Sequence, residues 1–280
     1  MLKIGIYTNK GKDPGLQATD RVIGALEEAG CSVCYDSDTA ALLGLSEYKD
    51  AGEADALFIL GGDGTILRAA RKYVSFGFPL IGINIGHLGF MSEINLPDIE
   101  RMIDHIKRGD YVIDERMMLE ARINGAGSPF IALNDFIITK INRTRMVQLD
   151  LYVNGTLAEL YNGDGLIVAT PTGSTAYSLS AGGPIIAPNV SCILITPMCP
   201  HSLYARSIVT KYSDTITVRP HEGEENVTFS ADGQELHYLS DADEVIIQRS
   251  EMKAKFLRYT NDMFFPQLKD KLAQWSGPKK

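Results

Sequence analysis

Apolar positions in the first third of the chain come in short runs separated by stretches of helical spacing. Residues 2–8 form one such run, and 16–29 follow with Leu16, Val22, Ile23 and Leu26 three to four residues apart and Gly30 placed as a stop. Further runs at 31–35, 55–60 and 79–84 predict three more strands. Alternation of strand and helix predicts a parallel sheet with helices on its faces. A helix is predicted over 97–107, with Ile99, Met102, Ile103 and Ile106 on one side and Gly109 ending it. Beyond Tyr111 the helical period fades. Runs of β type take over at 118–123, 130–141, 147–153, 157–161 and 166–169, then at 192–196, 214–218, 226–231, 244–249 and 253–259. Asn154-Gly155 and Asp232-Gly233 separate such runs and read as hairpin turns. Residues 265–275 return to helical spacing through Leu268, Leu272 and Trp275.

The expected fold is an α/β, Rossmann-like N-terminal domain and an all-β, sandwich-like C-terminal domain. Residues 1–113 together with 261–280 make the first, the C-terminal helix packing back on it, and 114–260 make the second. At 280 residues the chain is long enough for two ordinary cores. Acidic residues outnumber basic ones by 35 to 27, for a net charge of −8, which argues against nucleic acid as a partner. No apolar stretch is long enough for a membrane span, and Met1-Leu2-Lys3-Ile4-Gly5-Ile6-Tyr7 enters a strand without the form of a signal peptide. A cytoplasmic protein is the expectation. Cys31 and Cys34 fall at i and i+3 of a strand, on opposite faces, and Cys192 and Cys199 flank an apolar run. All four read as free thiols rather than ligands of a shared metal.

The candidate chemistry begins at Gly61-Gly62-Asp63-Gly64-Thr65, between an apolar strand and a helix-forming stretch that Thr65 is placed to cap. Glycines allow close approach of a ligand, and a helix N-terminus favours anions, so the turn suits phosphate. A carboxylate there either holds Mg²⁺ or takes a proton from an attacking hydroxyl, unless the string is merely a turn. Gly86-His87-Leu88-Gly89-Phe90 ends the next strand at the same sheet edge, so the two turns are expected to face one site. Phe90 either packs on an aromatic base or belongs to the core. The loop at 9–15, with Lys10 and Lys12, either covers phosphates or is solvated.

Asn134-Asp135 interrupts an apolar β run, as a purposeful bend or as a simple loop between strands. From Asn162 to Pro184 the chain offers a carboxylate (Asp164), a strand and a turn crowded with Thr172, Ser174, Thr175, Tyr177, Ser178 and Ser180. Hydroxyls and backbone amides suit ribose and amide recognition, a ribose diol prefers a carboxylate acceptor, and Tyr177 can stack on a base.

Gly-Gly-Asp-Gly alone resembles a signature of several families: NAD kinases, diacylglycerol and sphingosine kinases, and 6-phosphofructokinases. It is neither a Walker A loop nor a Rossmann fingerprint. Together with Gly86–Phe90, Asn134-Asp135, the Gly163–Pro184 run, Pro200-His201-Ser202 and Asp232-Gly233-Gln234, in that order and spacing, it resembles the bacterial NAD kinases over essentially the whole chain.

The resemblance implies transfer of the ATP γ-phosphoryl group to the 2′-hydroxyl of the adenosine ribose of NAD, giving NADP. It implies Asp63 as the catalytic carboxylate, with Gly61, Gly62, Gly64, Thr65 and Arg68 around the phosphates. NAD contacts are implied for Phe90, Asn134, Asp135, Arg145, Asn162, Asp164, Thr172, Thr175, Ala176, Tyr177, Ser178, Leu179, Ser180 and Gln234, with Asp164 reaching the nicotinamide end in an adjacent subunit. Mg²⁺ or another divalent cation is expected through the phosphates, with Asp63 beside it and no side-chain cage. A homodimer or homotetramer is expected. The chain departs from the family pattern where Asn-Glu is frequent (Asn134-Asp135), where an Arg is frequent (Asn162), and where Arg-Pro is usual (Arg206-Ser207). A lipid or sphingoid-base kinase leaves the 163–184 run without a purpose, and a non-catalytic dinucleotide sensor leaves Asp63 without one.

Overall fold

A computed structural model describes residues 1–86, 89–92, 94–141, 145–260 and 264–276. His87 and Leu88 of the second glycine turn, and the side chain of Trp275, lie outside the described residues. The chain forms two compact units, Met1–Glu115 with Ala254–Lys280, and Arg116–Lys253.

The first unit runs β1 (Lys3–Thr8), α1 (Gln17–Glu28), β2 (Ser32–Tyr35), α2 (Ser37–Leu42), β3 (Ala56–Gly61), α3 (Asp63–Tyr73), β4 (Leu80–Asn84), β5 (Ile94–Asn95) and α4 (Ile99–Arg108). Its strands are parallel in the order β2-β1-β3-β4, with β5 beside β4. Every residue of β3 and β4 is buried, as a strand covered on both faces requires. Ile4, Ile6, Phe58, Leu60, Ile81 and Ile83 pack with the apolar stripes of α1 and α4. Gly82 points the other way, and a Cβ there would stand 2.5 Å from Cδ1 of Ile66, so α3 presses on the opposite face. Because β2 lies on one side of β1 and β3 on the other, the sheet changes its winding direction at β1/β3, where open α/β sheets collect ligands.

Two expectations change here. Helix α3 starts at Asp63 with Gly62 as its cap residue, so Thr65 is not the cap; its buried hydroxyl accepts a hydrogen bond from Asn9 Nδ2 at 2.9 Å. The loop at 9–15 is anchored as well as exposed. Buried Asp13 accepts from the Ala18 and Thr19 amides and the Thr19 hydroxyl, capping α1 from a distance.

The second unit is entered along β6 (Val112–Ile123) and continues through β7 (Ala126–Ala132), β8 (Asp135–Lys140), β9 (Val147–Val153), β10 (Thr156–Gly163) and β11 (Gly165–Ala169). After the short α5 (Tyr177–Ser180) come β12 (Cys192–Met198), β13 (Ile208–Lys211), β14 (Ile216–Pro220), β15 (Val227–Ala231), β16 (Gln234–Leu239) and β17 (Val245–Arg258). One sheet takes β10-β9-β14-β17 with β6 and β7, the other β13-β12-β11-β8-β15-β16. Leu119, Leu149, Leu151, Ile216 and Val218 of the first pack on Phe136, Ile138, Val168, Ile193 and Phe229 of the second, closing a sandwich core.

Both predicted hairpins form. Asn154 and Gly155 have φ of 50° and 78°, Asp232 and Gly233 of 49° and 68°, and the strands pair on either side. Asn124-Gly125, with φ of 56° and 66°, makes a third. The run at 130–141 breaks at Leu133-Asn134 into β7 and β8, while the runs at 244–249 and 253–259 join as one strand. The last residues of β17 belong to the first unit, where Phe256 pairs with Leu80, and α6 (Phe264–Ser276) follows there. No helix among the described residues is long and apolar enough to cross a membrane.

Candidate functional site

In the first unit the candidate residues gather at the carboxyl ends of β3 and β4. The half-buried Asp63 opens α3, and its two carboxylate oxygens accept from the amides of Phe90, at 2.8 Å, and Met91, at 3.1 Å. The two glycine turns therefore meet at this carboxylate. Gly89 is glycine for space: a Cβ there would stand 1.9 Å from Asp63 Oδ1. The turn is braced from behind by buried Arg258, which donates to the Met91 carbonyl at 3.3 Å and to Asp114 at 3.1 Å.

The glycines divide into two kinds. Gly61 is a packing glycine, since a Cβ there would lie 2.4 Å from Thr65 Oγ1. Gly62, Gly64 and Gly86 have nothing within 4 Å of that position and none has a positive φ, so their bare backbone is open to approach. Of the predicted phosphate residues, Gly62, Gly64 and the exposed Arg68, one helical turn beyond Gly64, line the open side. Gly61 and Thr65 support it from within. The Phe90 ring faces Lys271 Nζ of α6 at 5.8 Å.

In the second unit Asn134 and Asp135 sit where the chain passes from β7 to β8. Three successive amides there point at one carboxylate. Asp232 Oδ2 accepts from Leu133 N at 3.0 Å, and Oδ1 from Asn134 N at 2.8 Å and Asp135 N at 3.2 Å. On the other side Thr170 donates from its amide to the Asn134 carbonyl, at 2.8 Å, and from its hydroxyl to the Leu133 carbonyl, at 2.6 Å. Gly173 lies so close that a Cβ would stand 2.1 Å from the Asn134 carbonyl oxygen. The Asn134 side-chain oxygen is buried and accepts no hydrogen bond. Burial, with the Asp232 charge second, pushes the Asp135 carboxyl up to about 7.

The turn after β11 folds onto the same place. Thr172, Ser174 and Ser178 are buried; the Ser178 and Thr196 hydroxyls bond each other at 2.8 Å, and Ser174 Oγ accepts from the Ile186 amide at 3.0 Å. Thr175, Ala176 and Leu179 are half-buried, while Tyr177 and Ser180 face outward. Gln234 starts β16 beside the Asp232-Gly233 turn.

The remaining predicted contacts lie elsewhere. Strands β8 and β11 pair antiparallel with Asp135 opposite Ala169 at one end and Thr139 opposite Gly165 at the other. Asp164 is at that far end, in an ion pair with Lys140, and the Asn162 carbonyl accepts from His201 N at 2.7 Å. Arg145 lines a cavity of about 260 Å³ there with Lys140 and Glu225. One chain thus groups Asn134, Asp135, 172–180 and Gln234, and holds Arg145, Asn162 and Asp164 roughly 15–20 Å away, a strand's length. Asp232, Gly89, Gly173 and Arg258 carry the geometry without having been singled out for it. Asp232, Gly89 and Gly173 lie within motifs quoted for the resemblance, but nothing in the sequence showed the part each plays, and Arg258 had no sign at all.

Comparison with known proteins follows the same division. Residues 4–111 match the ATP-NAD kinase N-terminal domain and 133–259 the ATP-NAD kinase C-terminal domain. An NAD kinase of Thermoanaerobacter sp. strain X514 is 39% identical over 98% of this chain and 100% of its own. One of Caldanaerobacter subterraneus subsp. tengcongensis is 41% identical over the same shares. Among solved structures, yeast NADH kinase complexed with NADH superposes with a TM-score of 0.87 at 25% identity, covering 100% of this chain and 89% of that one. An NAD kinase from Archaeoglobus fulgidus in complex with ATP shares the fold, with a TM-score of 0.77 at 24% identity over 97% and 99% of the two chains. With both domains matched in order and bacterial relatives aligned from end to end, the chain belongs to the ATP-NAD kinase family and is an enzyme that phosphorylates NAD with ATP.

Proposed function

We propose that the chain transfers the γ-phosphoryl group of ATP to the 2′-hydroxyl of the adenosine ribose of NAD, with Asp63 as the catalytic carboxylate. The observation that carries this reading is the pairing of a fixed carboxylate with bare backbone: Asp63 is held by two amides while Gly62, Gly64 and Gly86 stand open beside it. Each Asp63 oxygen keeps a lone pair for a further hydrogen bond.

A ribose hydroxyl is far too weak an acid to be ionised beforehand by a carboxylate. Asp63 accepts its proton late, as the hydroxyl oxygen bonds to the γ-phosphorus and the bond from phosphorus to the β,γ-bridging oxygen breaks, leaving ADP. The open amides at the start of α3 and the Arg68 guanidinium take up the charge of the phosphates. Among the described residues no group of three or more His, Cys, Asp or Glu side chains forms a metal cage. A single carboxylate fits Mg²⁺, which takes its other ligands from phosphate and water and would neutralise phosphate charge there.

For the dinucleotide, the Asn134 side-chain oxygen is a buried acceptor awaiting a donor, which the adenine amine supplies. Asp135 supplies the acceptor a ribose diol prefers, and Thr172, Thr175, Tyr177 and Gln234 surround the same end of β8. Arg145, Asn162 and Asp164, a strand's length away, are read as contacts to NAD bound by a second copy in a homodimer or homotetramer. A cytoplasmic setting belongs to the same reading.

The test is a coupled assay with ATP, Mg²⁺ and NAD, NADP being detected by an NADP-specific dehydrogenase. Asp63→Asn is expected to lower turnover by at least about 10²-fold, the lower end of general-base help, with NAD affinity near wild type. Unchanged turnover removes Asp63 from the catalytic role.

A further inference from the structure

Asp232 is buried, 8% exposed, at the tip of a hairpin, and is not itself among the positions assigned to substrate. Its carboxylate nevertheless takes the amides of three consecutive residues, Leu133, Asn134 and Asp135, while its own amide donates to the Asp135 carbonyl at 2.9 Å. Three amides in a row cannot all serve a sheet, in which successive groups point to opposite sides. Here they converge because the strand is broken, and an anion is what such a nest of amides binds. With Thr170 taking the carbonyls of Leu133 and Asn134, the backbone of this segment has little freedom left.

We propose that Asp232 is a positioning residue for dinucleotide recognition: its carboxylate holds Leu133-Asn134-Asp135 in the backbone conformation that presents the Asn134 and Asp135 side chains to NAD. This rests on the reading of those two side chains as NAD contacts. The carboxylate has a second effect. Its charge acts on Asp135 from the β15–β16 turn, while the strand and turn on the other side bring Ala169, Thr170 and Thr172, none of them titratable. On that side Arg116 donates to the Thr172 hydroxyl at 3.4 Å. Burial raises the Asp135 carboxyl and the Asp232 charge adds to it, bringing it to about 7, so NAD affinity is expected to vary with pH between about 6 and 8.

Two substitutions separate positioning from folding. Asp232 has φ of 49°, which glycine adopts freely and asparagine tolerates, so Asp232→Gly and Asp232→Asn both keep the hairpin. In calorimetry with NAD and in steady-state kinetics, Asp232→Gly is expected to weaken NAD binding at least about tenfold, 1.4 kcal/mol. Turnover at saturating NAD and the KM for ATP should stay within about threefold. Asp232→Asn, whose amide oxygen can still accept from Asn134 and Asp135, should recover part of the affinity and move the pH midpoint of NAD binding downward. NAD affinity within twofold of wild type in both variants overturns the proposal, as does an equal loss in every kinetic constant. Should Asp232→Gly not fold, Asp232→Asn decides through its pH midpoint, and an unmoved midpoint with wild-type affinity overturns the proposal. Asn134→Ala, measured alongside, tells the two failures apart. Unchanged NAD affinity there removes the underlying reading and the proposal with it. Weakened affinity there, with wild-type affinity in the Asp232 variants, removes positioning alone.

Discussion

Each unit shapes its candidate site with a carboxylate that gathers consecutive backbone amides, but the two carboxylates stand on opposite sides of the turn they shape. Asp63 is half-buried at the front, gathers two amides and keeps oxygen lone pairs facing an open glycine backbone. Asp232 is buried at the back, gathers three, and spends its oxygens on backbone that includes Asn134 and Asp135, whose own side chains are buried beside it. The difference shows that one local device can leave a carboxylate open to a ligand in one place and commit it wholly to backbone in another. Exposure decides which.

The comparison is sharpened by the glycine that each turn needs. The largest effect is expected at Gly173, where an added Cβ meets backbone, the Asn134 carbonyl oxygen at 2.1 Å and its carbon at 2.5 Å. Backbone cannot rotate aside, so Gly173→Ala should cost about 3 kcal/mol of stability, the upper end for overpacking, and weaken NAD binding together with it. Denaturant unfolding and calorimetry check both. At Gly89 the obstacle is the Asp63 carboxylate itself, which can swing away. Gly89→Ala should leave stability within about 1 kcal/mol yet lower turnover by about 10²-fold, because displacing a reacting group by an ångström costs that much. Equal losses of stability at the two positions would erase the distinction drawn between them.

The smallest effect concerns the proton on Asp135. Its carboxyl, raised to about 7 by burial and by Asp232, keeps its proton in the folded chain after the unfolded chain has lost it. That group's stability is complete below its ordinary range, near pH 4, and is lost as pH rises through about 7. Asp135→Asn removes the loss. Relative to wild type, the variant should gain about 2 kcal/mol between pH 5 and pH 8, read from unfolding curves at the two pH values. A constant difference between the proteins across that range would mean that the Asp135 carboxyl is not raised in the folded chain.

Much of the fold was legible because its causes are local. Apolar runs, helical spacing and Asn-Gly or Asp-Gly turns located most of the strands, α1, α3, α4, α6 and two hairpins. What escaped depends on residues far apart in sequence. Asn134-Asp135 marked the place where the run at 130–141 divides, but the carboxylate that takes the amides there lies 98 residues further on, out of reach of any local pattern. Thr65 has the chemistry of a helix cap, but Asn9, 56 residues earlier, claims its hydroxyl. Residues 37–42 and 208–211 were not assigned at all, α2 and β13 being short elements. At the site, Asp63 and Asn134-Asp135 were visible as polar residues in apolar or glycine-rich settings. Gly89 was visible as part of a glycine turn but not as the residue whose missing Cβ leaves room for Asp63, and Arg258 was not visible, since its purpose lies in what stands next to it in space.

The division of β17 bears on how the chain comes into being. Its first residues complete the second unit, and from Ala254 it returns to the first, where Phe256 pairs with Leu80. A ribosome making this protein releases the start of the first unit early and its last strand only after the whole sandwich has emerged. The inserted unit can close while the flanking one still waits for its edge. Contacts between the two ends of a chain form slowly, so the pairing of Phe256 with Leu80, in the strand before the turn that holds Asp63, is expected late in folding. The surroundings of Asp63 are thus completed when synthesis is nearly finished, and a chain cut short before Ala254 would lack the brace Arg258 gives that turn.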